Sequence, residues 1–374
     1  MDARRGDPPT ADRQRRVGVL TFHNTTNYGA TLQTLGLLRA LTHRGFAAEV
    51  IDYRPSTAAA YYRTKFTERD APAKILKALR FRAFMRRHLT LSSRSCSTAA
   101  DLSGVADGRY DAVIVGSDQV WNVNDKIRPF DSSFYLRFIR EDGIRRISYA
   151  ASFGDAFPLE PVRERISEGL MHLDQISVRD EHSRDLVRVI CGRDASLVAD
   201  PTLLVELSDL EEPPRLNGSF AVYYGTDAQG LGGAKSAQWC REKNLPMYSL
   251  GYRGPAGSHA RIAIGPGQWM GFLRSAAMIA TSTFHGAVFA AKMGRPFVVI
   301  AREWNALKIT DFARRIGLVH RVFEAGQCPN TLPSELWRND DVVEAGEKLE
   351  RLRADSDRFL DEALALNPGS ATVG

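Results

Sequence analysis

Three segments of this 374-residue sequence place hydroxyl, amide and ionisable side chains directly after short apolar runs, where a β-strand would give way to a turn. The first, Phe22-His23-Asn24-Thr25-Thr26-Asn27-Tyr28-Gly29-Ala30, follows the run RVGVLTF at 16–22. A glycine turn lets the amides of a following helix approach an anion, which makes Asn27, Tyr28 and Gly29 candidates for a substrate- or phosphate-binding loop. The same residues also describe an Asn-capped turn that binds nothing. The second is Val115-Gly116-Ser117-Asp118-Gln119-Val120-Trp121-Asn122. Asp118 could orient a hydroxyl or act as a base, and Trp121 could stack on a sugar ring; alternatively Ser117 or Asp118 only caps the next helix.

The third segment, Ala280-Thr281-Ser282-Thr283-Phe284-His285-Gly286, precedes a helical pattern ending near Met293. It puts an imidazole, the Ser282 and Thr283 hydroxyls and the Gly286 amide at a positive helix end, a natural place for phosphate or carboxylate. His285 is read as functional here, against the alternative of a structural histidine. Arg179 in Ser177-Val178-Arg179-Asp180 and Arg253 in Leu250-Gly251-Tyr252-Arg253 each follow a strand pattern. Both are candidate anion ligands, or equally members of surface ion pairs.

The elements that must hold these side chains are legible in the hydrophobic pattern. The run at 16–22, the helical periodicity of Leu32, Leu35, Leu38 and Leu41 ending at Gly45, and the strand at 48–53 make a βαβ unit, hence a parallel sheet. Strands at 111–115, 146–150, 175–178 and 196–198, with helices at about 159–171 and 180–190, continue the series. A Pro- and acid-rich stretch follows, and a second series starts at 220–224 with strands at 246–250, 278–281 and 296–300. The expected fold is α/β, with two Rossmann-like doubly wound domains facing a central cleft. Its expected parts are a disordered leader (1–15), an N-terminal domain (16–205) with a basic helical insertion at about 57–95, a linker (206–218), a C-terminal domain (219–340), an amphipathic helix (341–366) and a tail (367–374).

Composition narrows the function classes. With 44% hydrophobic and 25% charged residues the chain is globular, and its length suits two domains at roughly 100 to 200 residues each. The net charge of +6 is local, because residues 1–100 hold eighteen Lys and Arg against seven Asp and Glu while the remainder is mildly acidic. No zinc-finger spacing, RNP-like motif or basic heptad accompanies it, so nucleic acid is not an expected partner. The segment 74–94 contains seven Lys/Arg and no acid, and is either a docking surface for an anionic polymer, a lipid-linked acceptor or a membrane, or a solvated basic face. The four cysteines form no CxxC pair, the first residues lack an apolar signal-peptide core, and no run reaches 18 apolar residues. A cytoplasmic, metal-independent protein without a bound cofactor is expected.

Taken together, NYGATLQ (27–33), VIDY (50–53), DAVIVGSDQVWN (111–122), YAASFG (149–154), SVRD (177–180), ADPTLL (199–204) and STFHGAVFAAKMGRPFV (282–298) make the chain similar to the polysaccharide pyruvyl transferase family. The resemblance implies a fold like that of GT-B glycosyltransferases and a role in bacterial cell-envelope polysaccharide biosynthesis. It also implies transfer of the enolpyruvyl carbons of phosphoenolpyruvate, as co-substrate, to a saccharide or glycosylated metabolite as a ketal. By resemblance His285 serves acid/base work or phosphate contact, Asp118 matches an acidic position and Arg179 is a carboxylate ligand. The donor would then sit among Arg179, Arg253, Ser282, Thr283, Gly286 and Lys308, and the acceptor among Asn27, Tyr28, Gly29, Ser117, Gln119, Trp121 and Asn122.

One position departs from the family pattern. Active pyruvyl transferases tend to carry arginine two residues before the histidine, where this chain has Thr283. Arg253, Arg295 or Lys308 are candidates to supply the missing cation. Otherwise the donor differs, and a nucleotide-sugar glycosyltransferase or a non-catalytic sugar-binding protein are the alternatives.

Overall fold

Short, apolar, β-branched runs alternating with helices produce two parallel sheets, because each strand needs a helical crossover to return to the same edge. The structure, a computed structural model, describes residues 14–61, 69–125, 127, 129–226 and 230–365. The expected leader lies outside these residues except for its last two positions, and the expected tail lies wholly outside them.

Seven strands form the first sheet: β1 (Arg16–Leu20), β2 (Ala47–Tyr53), β3 (Leu91–Cys96), β4 (Ala112–Val115), β5 (Arg145–Ala151), β6 (Gln175–Val178) and β7 (Ser196–Leu197). Their order is β3-β2-β1-β4-β5-β6-β7. Six form the second: β8 (Ala221–Tyr224), β9 (Met247–Leu250), β10 (His259–Arg261), β11 (Met278–Thr281), β12 (Phe297–Ala301) and β13 (Val322–Glu324), in the order β10-β9-β8-β11-β12-β13. All pairings are parallel. Central strands such as β4 are buried along their whole length, which is why they read as continuous apolar runs rather than alternating ones. The strand order reverses between β1 and β4 and between β8 and β11, and those two switch points direct the loops after all four strands toward one crevice.

The helices are α1 (Tyr28–His43), α2 (Ser56–Tyr61), α3 (Ala71–His88), α4 (Val162–His172), α5 (Glu181–Cys191), α6 (Leu231–Glu242), α7 (Pro266–Ser275), α8 (Phe284–Lys292), α9 (Ala306–Ile316), α10 (Asp340–Glu344) and α11 (Gly346–Leu364). None among the described residues is long and apolar enough to cross a membrane. The α/β class with two facing Rossmann-like domains is as the sequence leads one to expect, and the differences lie at edges. Residues 91–96, expected as the end of a basic helical insertion, form β3 beside β2, so α3 is the crossover between neighbouring strands of the sheet. Strands β3, β10 and β13 escape sequence reading because β3 is largely polar and β10 and β13 have only three residues each, β10 being exposed along its length; each pairs on one side only. The final helix is interrupted at Ala345.

The two sheets share one apolar core. Tyr28 of α1 stacks on Trp269 of α7 at 5.3 Å between centroids, meets Tyr224 of β8 edge-on at 5.8 Å, and donates its hydroxyl to Ile264 O at 3.1 Å. The Pro-rich stretch between the sheets runs along α7, where Glu212 N donates to Gly267 O at 3.0 Å and Arg274 forks onto Glu211. The chain then closes back on its first domain through α11. Arg44 grips Asp357 and Asp361 at 2.6 and 2.8 Å, Ala199 N donates to Ser356 Oγ at 2.7 Å, and Phe359 packs on Tyr149 of β5. Phe359→Ala removes a buried ring from that return and is expected to lower unfolding free energy by about 3 kcal/mol in urea titration.

Candidate functional site

The N-terminal wall of the crevice is built by tight backbone geometry after β4. Gly116 has φ +108°, and a Cβ there would lie 2.3 Å from Tyr149 O, so only glycine lets this loop press against β5. The Gly116–Ser117 peptide is cis, and Asp118 sits at φ +79°, a left-handed conformation that non-glycine residues adopt mostly at functional or strained positions. Ser117 is wholly buried and its hydroxyl accepts from Asp118 N at 2.6 Å. The Asp118 carboxylate is thereby turned toward the crevice, accepting from Gln119 N at 2.9 Å and facing Arg179 at 3.5 Å.

The opposite wall comes from the β11–α8 junction. Thr283 is the N-cap of α8, its hydroxyl accepting from Gly286 N at 3.0 Å and lying 3.0 Å from Thr281 Oγ1. His285 is therefore in the first helical turn, with its imidazole against α1: a Cβ on Gly29 would lie 2.1 Å from His285 Nδ1. Asn305 Nδ2 donates to Ser282 O at 2.8 Å and ties the following segment to this junction, which brings Trp304 and Lys308 to the crevice.

Between the walls is a cavity of about 200 Å³ lined by Asn27, Asp118, Gln119 and Arg179 from the first domain and Thr283, His285, Asn305 and Lys308 from the second, with Phe22, Tyr224, Tyr252, Phe284 and Trp304 as its apolar faces. Asp200, just after β7, lies beneath it. Arg179 donates to Asp200 at 3.2 Å, and its guanidinium centre stands 4.4 Å from the Phe284 ring centroid. His285 Nε2 is 3.4 Å from Asp200 Oδ2, near enough for charge attraction but outside hydrogen-bond geometry, so this nitrogen lacks a hydrogen-bond partner. Burial alone would raise the Asp200 carboxyl; the His285 and Arg179 charges and the Thr202 hydroxyl overcome it and hold it well below the usual carboxylate range. Lys308 makes no hydrogen bond or ion pair among the described residues. Burial, helped by the Arg179 charge and opposed by Asp118, Asp180 and Asp155, lowers its ammonium to about 8. The arrangement provides two buried cationic side chains and an imidazole around a small polar space, suited to an anion and to proton transfer.

The residues expected from sequence divide by this geometry. His285, Asp118, Arg179, Lys308, Thr283, Asn27 and Gln119 line the cavity, with Asn27 and Thr283 also serving as helix caps. Gly29 supports the His285 ring from behind. Tyr28 and Trp121 do not reach the cavity: Tyr28 is buried in the shared core, and the Trp121 indole donates to Phe134 O at 2.9 Å while stacking on Tyr135. Ser117 is enclosed within its own turn. Asn122 bonds Gln119 at 3.0 Å outside the lining, Ser282 is buried beneath the junction, and the Gly286 amide is already used by Thr283. Arg253 forks onto Asp70, and Arg295 is committed to Ala276 O. Of the three cations weighed as substitutes at Thr283, Lys308 is thus the one at the cavity. Asp200, Trp304 and Asn305 went unassigned in sequence; for Asp200 the signal was an acid directly after the last strand of the first sheet.

A family model described as polysaccharide pyruvyl transferase matches residues 27–303. No curated protein matches the chain. Among solved structures it is similar to a putative UDP-N-acetylglucosamine 2-epimerase from Listeria monocytogenes, with TM-score 0.52 and 11% identity over 96% of this chain and 92% of that one. It is also similar to Arabidopsis thaliana UGT89C1 complexed with UDP-L-rhamnose, with TM-score 0.52 and 13% identity over 95% and 99% of the two chains. At these identities the likeness is one of fold, the GT-B arrangement of two facing Rossmann-like domains. The close seat of His285 gives a direct check: Gly29→Ala should displace the imidazole, moving its side-chain ¹⁵N resonances and costing about 1–3 kcal/mol of stability through overpacking.

Proposed function

The chain belongs to the polysaccharide pyruvyl transferase family, a family of sugar-modifying transferases, and we propose that its cavity takes phosphoenolpyruvate and passes the pyruvyl group to paired hydroxyls of a saccharide. The observation that supports this most is the convergence of Arg179, Lys308 and His285 on one small cavity. A phosphate and a carboxylate on adjacent atoms require more than one cation, and Thr283 supplies none. Lys308 takes that part, aided by the positive end of α8.

In the proposed reaction His285, seated over Asp200, is the proton donor to the methylene carbon of the donor and leaves an oxocarbenium-like centre at C2. An acceptor hydroxyl attacks C2 and yields its proton to Asp118 or returns it to His285. The C2–O bond to phosphate breaks, phosphate leaves with its electron pair, and the second hydroxyl closes the ketal while the phosphate takes up its proton. The acceptor ring rests on Trp304, whose indole lines the cavity and is 46% exposed. This replaces the stacking role expected of the buried Trp121.

The second reading, a glycosyltransferase using a nucleotide sugar, is favoured by Thr283. Incubation with phosphoenolpyruvate and a panel of methyl glycosides separates the two: release of phosphate with a pyruvyl mass gain supports pyruvyl transfer. Calorimetry that detects UDP-sugars but no phosphoenolpyruvate overturns it.

Lys308 gives the binding reaction a pH dependence. It is charged below about 8 and neutral above, so affinity for phosphoenolpyruvate should fall as pH rises through that value. Lys308→Ala should weaken binding by roughly 10- to 100-fold at neutral pH, the worth of a charged hydrogen bond at about 1.5–3 kcal/mol, and abolish this pH step.

A further inference from the structure

The basic segment noted in the sequence takes an unusual form in α3. Its inward side is formed by Ala71, Lys77 and Phe81, all buried. Lys77 donates to Gly251 O at 3.3 Å and sits 4.5 Å from the Tyr252 ring, so this side meets residues that wall the cavity. The outward side holds Leu76 and Leu79, 43% and 52% exposed, together with exposed Ala83. At 100° per residue these three share one face with Arg86 and Arg87, and Arg82 borders it. Leu76 and Leu79 thus face solvent, while Lys77 is packed inside beside Phe81, with Phe84 and Met85 partly buried against the same core.

Among the described residues, the arginines on this face are not spent on the protein. Arg82, Arg86 and Arg87 make no hydrogen bond or ion pair among the described residues, and no acid occurs between 71 and 94. Nearby carboxylates come from the linker; of these Asp209 is held by Arg39 at 2.7 Å, and Glu212 lines a hollow of about 410 Å³ beside Arg87 and His88.

We propose that this face of α3 docks the protein on an anionic lipid bilayer, with Leu76 and Leu79 entering the interface and Arg82, Arg86 and Arg87 meeting lipid phosphates. Exposed leucines flanked by free cations fit a surface that is negative outside and apolar beneath. A dissolved polyanion such as nucleic acid would engage the arginines and gain nothing from the leucines. Docking here sets the cavity about one helix diameter, roughly 10 Å, from the lipid headgroups.

The full-length protein should sediment with phosphatidylcholine vesicles containing about one-third phosphatidylglycerol, and far less with phosphatidylcholine alone, with binding falling as salt is raised. Leu76→Asn/Leu79→Asn and Arg82→Ala/Arg86→Ala/Arg87→Ala should each weaken partitioning about tenfold or more, with unchanged circular dichroism and melting temperature. Absence of vesicle binding at low salt overturns the proposal. So does binding that ignores the leucine changes, or retention on heparin without retention on vesicles. None of these readouts depends on phosphoenolpyruvate, so failure here is separate from failure of the proposed reaction.

Discussion

Asp200 is the point at which the two halves of the site are made to agree. It is fully enclosed, and its carboxylate faces the Arg179 guanidinium from the first domain and the His285 imidazole from the second. A buried carboxylate is unfavourable unless donors and cations surround it; Arg179 and Thr202 supply them from the first domain and His285 adds to them from the second. The cation–π seat of Arg179 on Phe284 and the contact of Gly29 with His285 follow from the same approach of the walls. The cavity is therefore a property of the docked pair of sheets.

The same economy is visible inside the loop after β4. Asp118 and Gln119 reach the crevice, while Ser117 and Trp121 fix the turn from within. An indole that packs a strand end and one that lines a cavity are the same residue type after the same kind of strand. Trp121 and Trp304 differ in what covers them, and that is set by Phe134, Tyr135 and Phe153, remote in sequence from the motif.

This explains what could be read from residues alone. The central strands were legible because burial on both faces leaves an unbroken apolar run, and the β1–α1 and β11–α8 junctions because caps and glycines must occur there. Strands β3, β10 and β13 were not, since an edge strand paired on one side needs no apolar signature. The placing of His285, Asp118 and Arg179 at one cavity was legible because each follows the C-terminal end of a strand, β11, β4 and β6 in turn. Asp200 and Trp304 depend on how one domain meets the other, for which local sequence has no code. Arg253 looked like a ligand and is the partner of Asp70, because an arginine after a strand serves either purpose equally well.

The stack of Tyr28 on Trp269 bears on how molecules come and go. Prising the sheets apart would wet that aromatic seam and tear α11 from its grip on Arg44, so wholesale hinge opening is the costly route. The two walls are thereby held at one spacing, and the cavity between them is sized by an aromatic seam outside its polar lining: Trp269 lies in the core, with Tyr224 joining seam to cavity.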